Sequence, residues 1–211
     1  IKIDEKQIKS KKIISLDNGK DDVMVISSAN CMEWFGKIDK EYISLENNYN
    51  YVYELKYSNF RGGHSGSSIA DVKRGNPIKL GIEILSELDD IYINNLEGGS
   101  RVNVIPRDFK IVFSAKENFE EIINKKINEQ KSFYGDEVEI SLKKVDKPNK
   151  AFSKKTTEKI INFVNSYENG AVKFDENNNV LVSGNFAAVR EIENYIRFEY
   201  SLRSNNMEMR E

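Results

Sequence analysis

Residues 60–69, Phe-Arg-Gly-Gly-His-Ser-Gly-Ser-Ser-Ile, restrict the fold and chemistry of this chain more than any other segment. They contain His64, the only histidine among 211 residues. Glycine lacks a Cβ atom, so backbone of this composition can bend sharply or let a ligand approach closely. With one histidine and one cysteine, the chain cannot assemble a histidine–cysteine zinc site from its own residues. His64 therefore either works alone or has partners elsewhere in the molecule.

The charge balance excludes partners that need a strong electrostatic field. The chain has 32 Lys and Arg against 34 Asp and Glu, for a formal net charge of -2. We therefore expect no nucleic-acid partner and no association with an anionic membrane. No apolar run approaches the roughly 18 residues of a membrane span. The single cysteine, Cys31, cannot form an internal disulfide, which favours a reducing cytoplasm.

Hydrophobic periodicity predicts strands along most of the chain. They are expected at residues 13–16, 23–27, 51–57, 91–96, 102–113, 138–142, 180–189 and 195–202. Gly98-Gly99-Ser100 is predicted to join two of them, and Pro106 to mark an edge position or a bulge.

Three helices are predicted between these strands. The first follows Pro77 and buries Ile78, Ile82, Leu85 and Leu88. The second is capped by Ser114 and Glu117 and buries Phe119, Ile122, Ile123 and Ile127. The third opens at Ser153, buries Ile160, Ile161, Val164 and Tyr167, and closes at Gly170. The pattern predicts an α+β fold, a two-layer sandwich in which a mostly antiparallel sheet carries helices on one face.

The glycine segment matches none of the common glycine motifs. A P-loop needs Gly-Lys-Ser/Thr at its end, but Gly66 is followed by two serines, and the glycine spacing does not fit a dinucleotide fingerprint. A nucleophile elbow around Ser65 would need glycine at position 67. Residues 175–179 begin like a calcium loop, but Val180 stands where glycine is required, so a simple turn is expected.

Gly-Gly-His-Ser-Gly at residues 62–66, followed by Arg-Gly-Asn at 74–76, resembles a block of the aminoacyl-histidine dipeptidases, a family of dinuclear-zinc metallopeptidases. In that family the block lies in a lid, or dimerisation, domain inserted into the catalytic domain. Four more blocks are similar to family elements in the family's order: residues 13–17, 98–107, 183–185 and 201–204. Five blocks cover nearly the whole chain, so chance agreement is improbable.

The resemblance implies roles for individual residues. His64 would stabilise the tetrahedral intermediate of peptide hydrolysis as an oxyanion donor. The residues implied in substrate binding are Asn103, Arg203, Ser183 and Asn185, the first two through the C-terminal carboxylate of the peptide. An arginine suits that task because its planar fork meets a carboxylate in two parallel hydrogen bonds. Gly62, Gly63 and Gly66 would be structural glycines, and Asp17 a metal ligand.

The resemblance also implies how the chain is organised. Residues 1–40 would be flanking strands of a catalytic domain and the start of the lid, 41–204 the lid, and 205–211 the return to the catalytic domain. The chain begins at Ile1 and not at methionine, so we expect an excerpt of a longer polypeptide. The complete enzyme would be a cytoplasmic dipeptidase with two zinc ions, a dipeptide substrate and a possible homodimer. This segment lacks most metal ligands and the catalytic base, so alone it would bind no zinc and be inactive.

Two other interpretations stay open. Taken singly, His64 is explained as a loop histidine, Asn103 as a turn-stabilising amide and Arg203 as half of a surface ion pair. The whole chain could also be a non-catalytic interaction module whose exposed sheet edge pairs with another copy or another protein.

Overall fold

A computed structural model of the chain describes residues 30–204. Within that range the helices are α1 (Pro77–Ser86), α2 (Glu120–Tyr134) and α3 (Lys154–Asn165). The strands are β1 (Asn30–Asp39), β2 (Tyr42–Ser44), β3 (Tyr51–Ser58), β4 (Gly63–His64), β5 (Ile91–Gly99), β6 (Val104–Ile105), β7 (Phe109–Ala115), β8 (Glu139–Lys144), β9 (Lys150–Phe152), β10 (Gly170–Phe174), β11 (Val180–Glu191) and β12 (Tyr195–Ser204). The strands predicted at 13–16 and 23–27, and Asp17, lie outside the described residues.

The main sheet has the strand order β1-β12-β11-β5-β7-β3-β8, and β10 also pairs with β11. Every pairing of these strands is antiparallel. β2 with β9 and β4 with β6 form two short additional ribbons. The predicted α+β class with a mostly antiparallel sheet is confirmed.

The helices cover one face of the sheet, and the core lies between the two layers. Under α3 the core is aromatic: the Phe163 ring contacts Trp34 of β1, Phe186 of β11 and Phe198 of β12. Under α2, the Tyr57 hydroxyl of β3 donates to Gln130 at 3.1 Å. Burial of large side chains from every layer supplies most of the favourable free energy of such a fold.

Helix α1 begins where the sequence predicted it, and side-chain hydrogen bonds attach it to β11 and to α3. Asn76 is its N-cap, and its side-chain oxygen accepts from the backbone of Ile78 at 3.1 Å. The same side chain donates to the Phe186 carbonyl of β11 at 2.8 Å. The ammonium group of Lys79 donates to the carbonyl of Val164 in α3 at 2.8 Å and to that of Tyr167, just after the helix, at 2.9 Å. Burial of this group lowers its pKa.

Several sequence predictions about single elements are wrong. Ser114 does not cap α2, because it lies inside β7, and Asn118 instead accepts from the backbone of Glu120 at the helix start. Ile122 is 49% exposed and is not part of the buried stripe. Gly170 does not close α3, which ends at Asn165, and instead begins β10.

The predicted strand 102–113 is divided into β6 and β7. Pro106 lies in the connection, where its missing N–H costs no sheet hydrogen bond. Conversely, β5 extends through Gly98 and Gly99, which the sequence placed in a joint. Among residues 30–204, no helix is long and apolar enough to span a lipid bilayer.

Two glycines with a positive φ, Gly99 and Gly170, differ in the space around a Cβ atom. Alanine variants at the two positions can therefore separate the cost of a steric clash from the cost of backbone strain. Gly99 has φ +71°, and a Cβ there would collide with the carbonyl oxygen of Ala187 in β11. Gly170 has φ +97° and open space around the same position. We expect Gly170→Ala to lower the free energy of unfolding by about 1–2 kcal/mol through strain alone.

Gly99→Ala should lower the free energy of unfolding by at least about 2 kcal/mol more, because a backbone carbonyl in a sheet cannot move aside. Urea denaturation of both variants measures the difference. Equal losses would show that β5 and β11 do not approach each other as closely as described.

Candidate functional site

The candidate site lies on the face of the sheet opposite the helices. Phe186 and Tyr200 point into the aromatic core, so the alternating residues of β11 and β12, including Asn185 and Arg203, point to the outer face. Ser183 of β11 is the register partner of Arg203 and is on that same face. Both Ser183 and Asn185 are nevertheless buried, at 4% and 1% exposure.

Asn185 lies against the ribbon of β4 and β6, in which Gly63 pairs with Ile105 and His64 with Val104. The side-chain amide of Asn185 donates to the carbonyls of Val102 at 3.4 Å and Val104 at 3.0 Å. These two carbonyls flank Asn103, so Asn185 holds the turn that presents Asn103. The ribbon is thereby fixed to the sheet through a buried hydrogen-bonded amide.

His64 and Arg203 converge over Gly66. A Cβ built on Gly66 would lie 3.1 Å from Cε1 of His64 and 3.3 Å from Cζ of Arg203. The backbone N–H of Gly66 also donates to Nδ1 of His64 at 3.2 Å, which leaves Nε2 as the ring nitrogen directed outward. His64 is exposed and Arg203 half-buried, so both reach solvent from one place.

Ser65 joins the parts of this site and was not singled out from the sequence. Its N–H donates to the Asn103 carbonyl at 2.9 Å, and its Oγ accepts from Nε of Arg203 at 3.4 Å. The side chain is 1% exposed. Three segments far apart in sequence, around His64, Asn103 and Arg203, therefore meet at one buried serine. The only sequence signal for Ser65 was its place in the glycine segment.

The three glycines of the segment serve different purposes. Gly62 has φ +61° and Gly63 has φ +131°, both in the region that side-chain-bearing residues avoid. Gly66 is not among the residues with positive φ. Its lack of a side chain instead leaves room for the imidazole and the guanidinium above it.

The Arg-Gly-Asn element at 74–76 holds the glycine segment in place. Arg74 donates through Nη1 to the carbonyl of Gly62 at 2.5 Å. Gly75 packs against the ring of Tyr134, at a distance that excludes any larger residue. Asn76 caps α1, as described above. Arg74 thereby ties this block to the backbone of the glycine segment.

Residues 30–204 contain no group of three or more His, Cys, Asp or Glu side chains arranged to hold a metal ion. The zinc ions implied by the sequence resemblance therefore find no ligand set in the described part of the chain. Asp17, the predicted ligand, lies outside it. A cavity of about 480 Å³ between β5, β7 and β11 is lined by Lys56, Lys110 and Arg190 among others and does not include His64.

The arrangement favours an anionic ligand. Arg203 makes a single polar contact within residues 30–204, the one to Ser65, and no carboxylate of that part neutralises it. A surface ion pair for Arg203, one of the open interpretations, is therefore not formed there. An unpaired guanidinium beside an outward imidazole nitrogen can bind a carboxylate and donate to a second oxygen.

A scan against protein-family models and a search of curated proteins found no match. Among solved structures, the crystal structure of an aminoacylhistidine dipeptidase from Vibrio alginolyticus matches with a TM-score of 0.75 and 21% identity, over 87% of this chain and 39% of that one. The aminopeptidase PepT from Bacillus cereus matches with a TM-score of 0.28 and 12% identity, over 44% of this chain and 28% of that one, which is too weak to support an argument. The resemblance named from the sequence blocks is thus confirmed as a likeness of fold to part of a dipeptidase.

Gly66→Ala tests the convergence over Gly66 directly. The added methyl group would lie within 3.2 Å of His64 Nδ1, so we expect the imidazole to be displaced. The free energy of unfolding should change by no more than about 0.5 kcal/mol, because the residue is exposed and its φ suits alanine. His64 is the chain's only histidine, so its ring proton signals in an NMR spectrum are unambiguous.

The imidazole signals should shift in Gly66→Ala and stay in place in Ser67→Ala, a matched change at the neighbouring exposed residue. Unshifted signals in Gly66→Ala would show that the ring does not lie over this glycine.

Proposed function

We propose that this chain is the lid, or substrate-binding, part of a cytoplasmic zinc-dependent dipeptidase of the aminoacyl-histidine type. The observation that carries the proposal is the convergence of His64 and Arg203 over Gly66, with the Asn103 turn tied to the same point. The order of the sequence blocks and the likeness of fold support it. Residues 41–204 form the proposed lid, and β1 continues the same sheet through its pairing with β12.

His64 acts on the reacting carbonyl in this proposal. Peptide hydrolysis passes through a tetrahedral intermediate whose oxyanion needs a positioned hydrogen-bond donor. The outward Nε2 of His64 is free to donate, because Nδ1 is engaged by the backbone of Gly66. The exposed ring needs a second wall to exclude water, which another part of the enzyme would provide.

Arg203 and Asn103 hold the C-terminal carboxylate of the dipeptide. The guanidinium has no carboxylate partner among residues 30–204, so binding the substrate would not require breaking an existing ion pair there. Ser183 and Asn185 form the floor beneath these groups, since both are buried on the outer face of β11. A substrate without a free carboxylate should therefore bind poorly.

The zinc ions and the carboxylate base belong to other parts of the proposed enzyme, because residues 30–204 present no metal site. The chain spans 39% of the dipeptidase structure it matches. By itself the chain should bind substrate weakly and hydrolyse nothing.

His64→Ala in the complete enzyme should lower kcat by about a hundredfold or more, as the loss of an oxyanion donor does. Metal content, measured by elemental analysis, should stay unchanged, because His64 lies in no metal site among the described residues. Ser67→Ala, in the same turn, is the matched control and should keep full activity. Turnover near that of the wild type in His64→Ala would refute the oxyanion role.

A second candidate function, an interaction module, is favoured by the edge strand β1. Among the described strands, β1 pairs only with β12 and so leaves one edge open over ten residues. Met32 and Phe35 are 41% and 49% exposed along it. An open, partly apolar edge of this length is a site for pairing with a second copy of the chain.

If β1 pairs between copies, the chain should sediment as a dimer, and Phe35→Lys should shift it towards the monomer by placing like charges at the contact. Val72→Lys is the matched control, because Val72 is 72% exposed and lies in the connection between β4 and α1, outside the main sheet. Analytical ultracentrifugation over a range of concentrations measures both. A wild-type chain that stays monomeric throughout would exclude the pairing.

A further inference from the structure

We propose that Ser65 is a positioning residue of the candidate site, one that orients Arg203 and fixes its distance from Asn103 and His64. The inference rests on the proposed function and adds a residue to which neither the sequence blocks nor the comparisons assign a role. Ser65 contacts two of the three segments of the site and is covalently joined to the third through His64.

The chemistry of the guanidinium explains why the contact to Ser65 matters. The planar guanidinium of arginine has five N–H donors, one on Nε at its side and two on each of the Nη nitrogens at its end. Ser65 Oγ accepts from Nε at 3.4 Å, so one donor at the side of the group is occupied. Within residues 30–204 no hydrogen bond or ion pair occupies the two Nη nitrogens, and it is this pair that meets both oxygens of a carboxylate end-on. A hydrogen bond to Nε thus orients the fork without occupying it.

Ser65 can position a flexible side chain because it is itself fixed. It is 1% exposed. On one side, the preceding residue pairs with Val104 in the β4–β6 ribbon, and on the other the N–H of Ser68 donates to the His64 carbonyl at 3.0 Å. Asn185 clamps the same ribbon to the sheet. Ordering Arg203 in advance removes part of the rotamer entropy that substrate binding would otherwise cost.

A purely structural role for Ser65 predicts different behaviour. If the Ser65 hydroxyl had only a structural role, its removal would lower the stability by the same amount whichever residue stands at position 203. A positioning role makes the effect depend on Arg203. A double-mutant cycle between Ser65→Ala and Arg203→Met separates the two roles.

In the complete enzyme, Ser65→Ala should raise KM for glycyl-histidine by about tenfold while kcat changes little, as expected when binding of a substrate carboxylate is weakened equally in ground and transition states. KM for glycyl-histidine amide, which lacks the carboxylate, should not change. In the Arg203→Met background, Ser65→Ala should have no further effect on either substrate. Equal losses on both substrates, or an undiminished effect without Arg203, would overturn the inference.

The single cysteine provides a readout that does not need peptidase activity. Cys31 of β1 is the register partner of Arg203 in β12, so their side chains are neighbours on one face of the sheet. Releasing the guanidinium from Ser65 lets it approach the thiol and attract an anionic reagent. We therefore expect Ser65→Ala to speed labelling of Cys31 by the dianionic Ellman reagent at least about twofold, at low salt.

Labelling by neutral iodoacetamide controls for changed exposure and for a larger thiolate fraction, and in Ser65→Ala its rate should rise by a smaller factor than that of the Ellman reagent. In the Arg203→Met background, the protein with Ser65→Ala and the protein without it should react with the Ellman reagent at the same rate. An unchanged or slower rate in Ser65→Ala, or an equal increase with both reagents, would overturn the positioning role. If the complete protein hydrolyses no dipeptide, the proposed function fails while this labelling comparison still decides the role of Ser65.

Discussion

The antiparallel pairing of β11 with β12 is the interaction on which the rest of the molecule depends. The register places Phe186 opposite Tyr200 on the helix face, and Ser183 opposite Arg203 on the outer face. Because side chains alternate along a strand, the same two strands build the aromatic core and the candidate site at once. A slip of β11 by one residue would turn Phe186 away from the helices, and a slip of β12 by one residue would turn Arg203 towards them.

The outer face of the sheet is polar, and the β4–β6 ribbon covers part of it. A sheet covered by helices on one face usually leaves its other face to water. Here the Asn185 amide fixes the ribbon over β11, and Ser65, Ser183 and Asn185 are all buried polar groups. The backbone carbonyls of Val102 and Val104 satisfy the Asn185 amide N–H group, and this buried contact holds the ribbon in place. His64 and Arg203 stand at the open margin of these buried groups, where a ligand can reach them.

Local sequence signals predicted elements well where the chain's own chemistry decides them. Pro77 starts α1 as predicted, because the fixed φ of proline suits the first turn of a helix irrespective of what surrounds it. The spacing of Ser114 and Glu117 is also a local signal, but the cap of α2 that it predicted is wrong. Ser114 belongs to β7, where β3 and β5 supply its pairing partners, and its hydroxyl donates to Asn94. Sheet hydrogen bonds to two neighbours outweighed a capping pattern, and no local window contains those neighbours.

What the sequence by itself determined was the composition of the site: one histidine on glycine-rich backbone, an amide and an arginine, in blocks that resemble a peptidase lid. Glycine only permits a positive φ, so the sequence predicted structural glycines in this segment, and the fold decided that Gly62 and Gly63 adopt a positive φ while Gly66 does not. Only the tertiary structure decided that His64 and Arg203 share the space above Gly66, and that Ser65 joins them to Asn103. Ser65 contacts Asn103, 38 positions away, and Arg203, 138 positions away, and strand register and the covering ribbon set these distances, which sequence spacing does not encode.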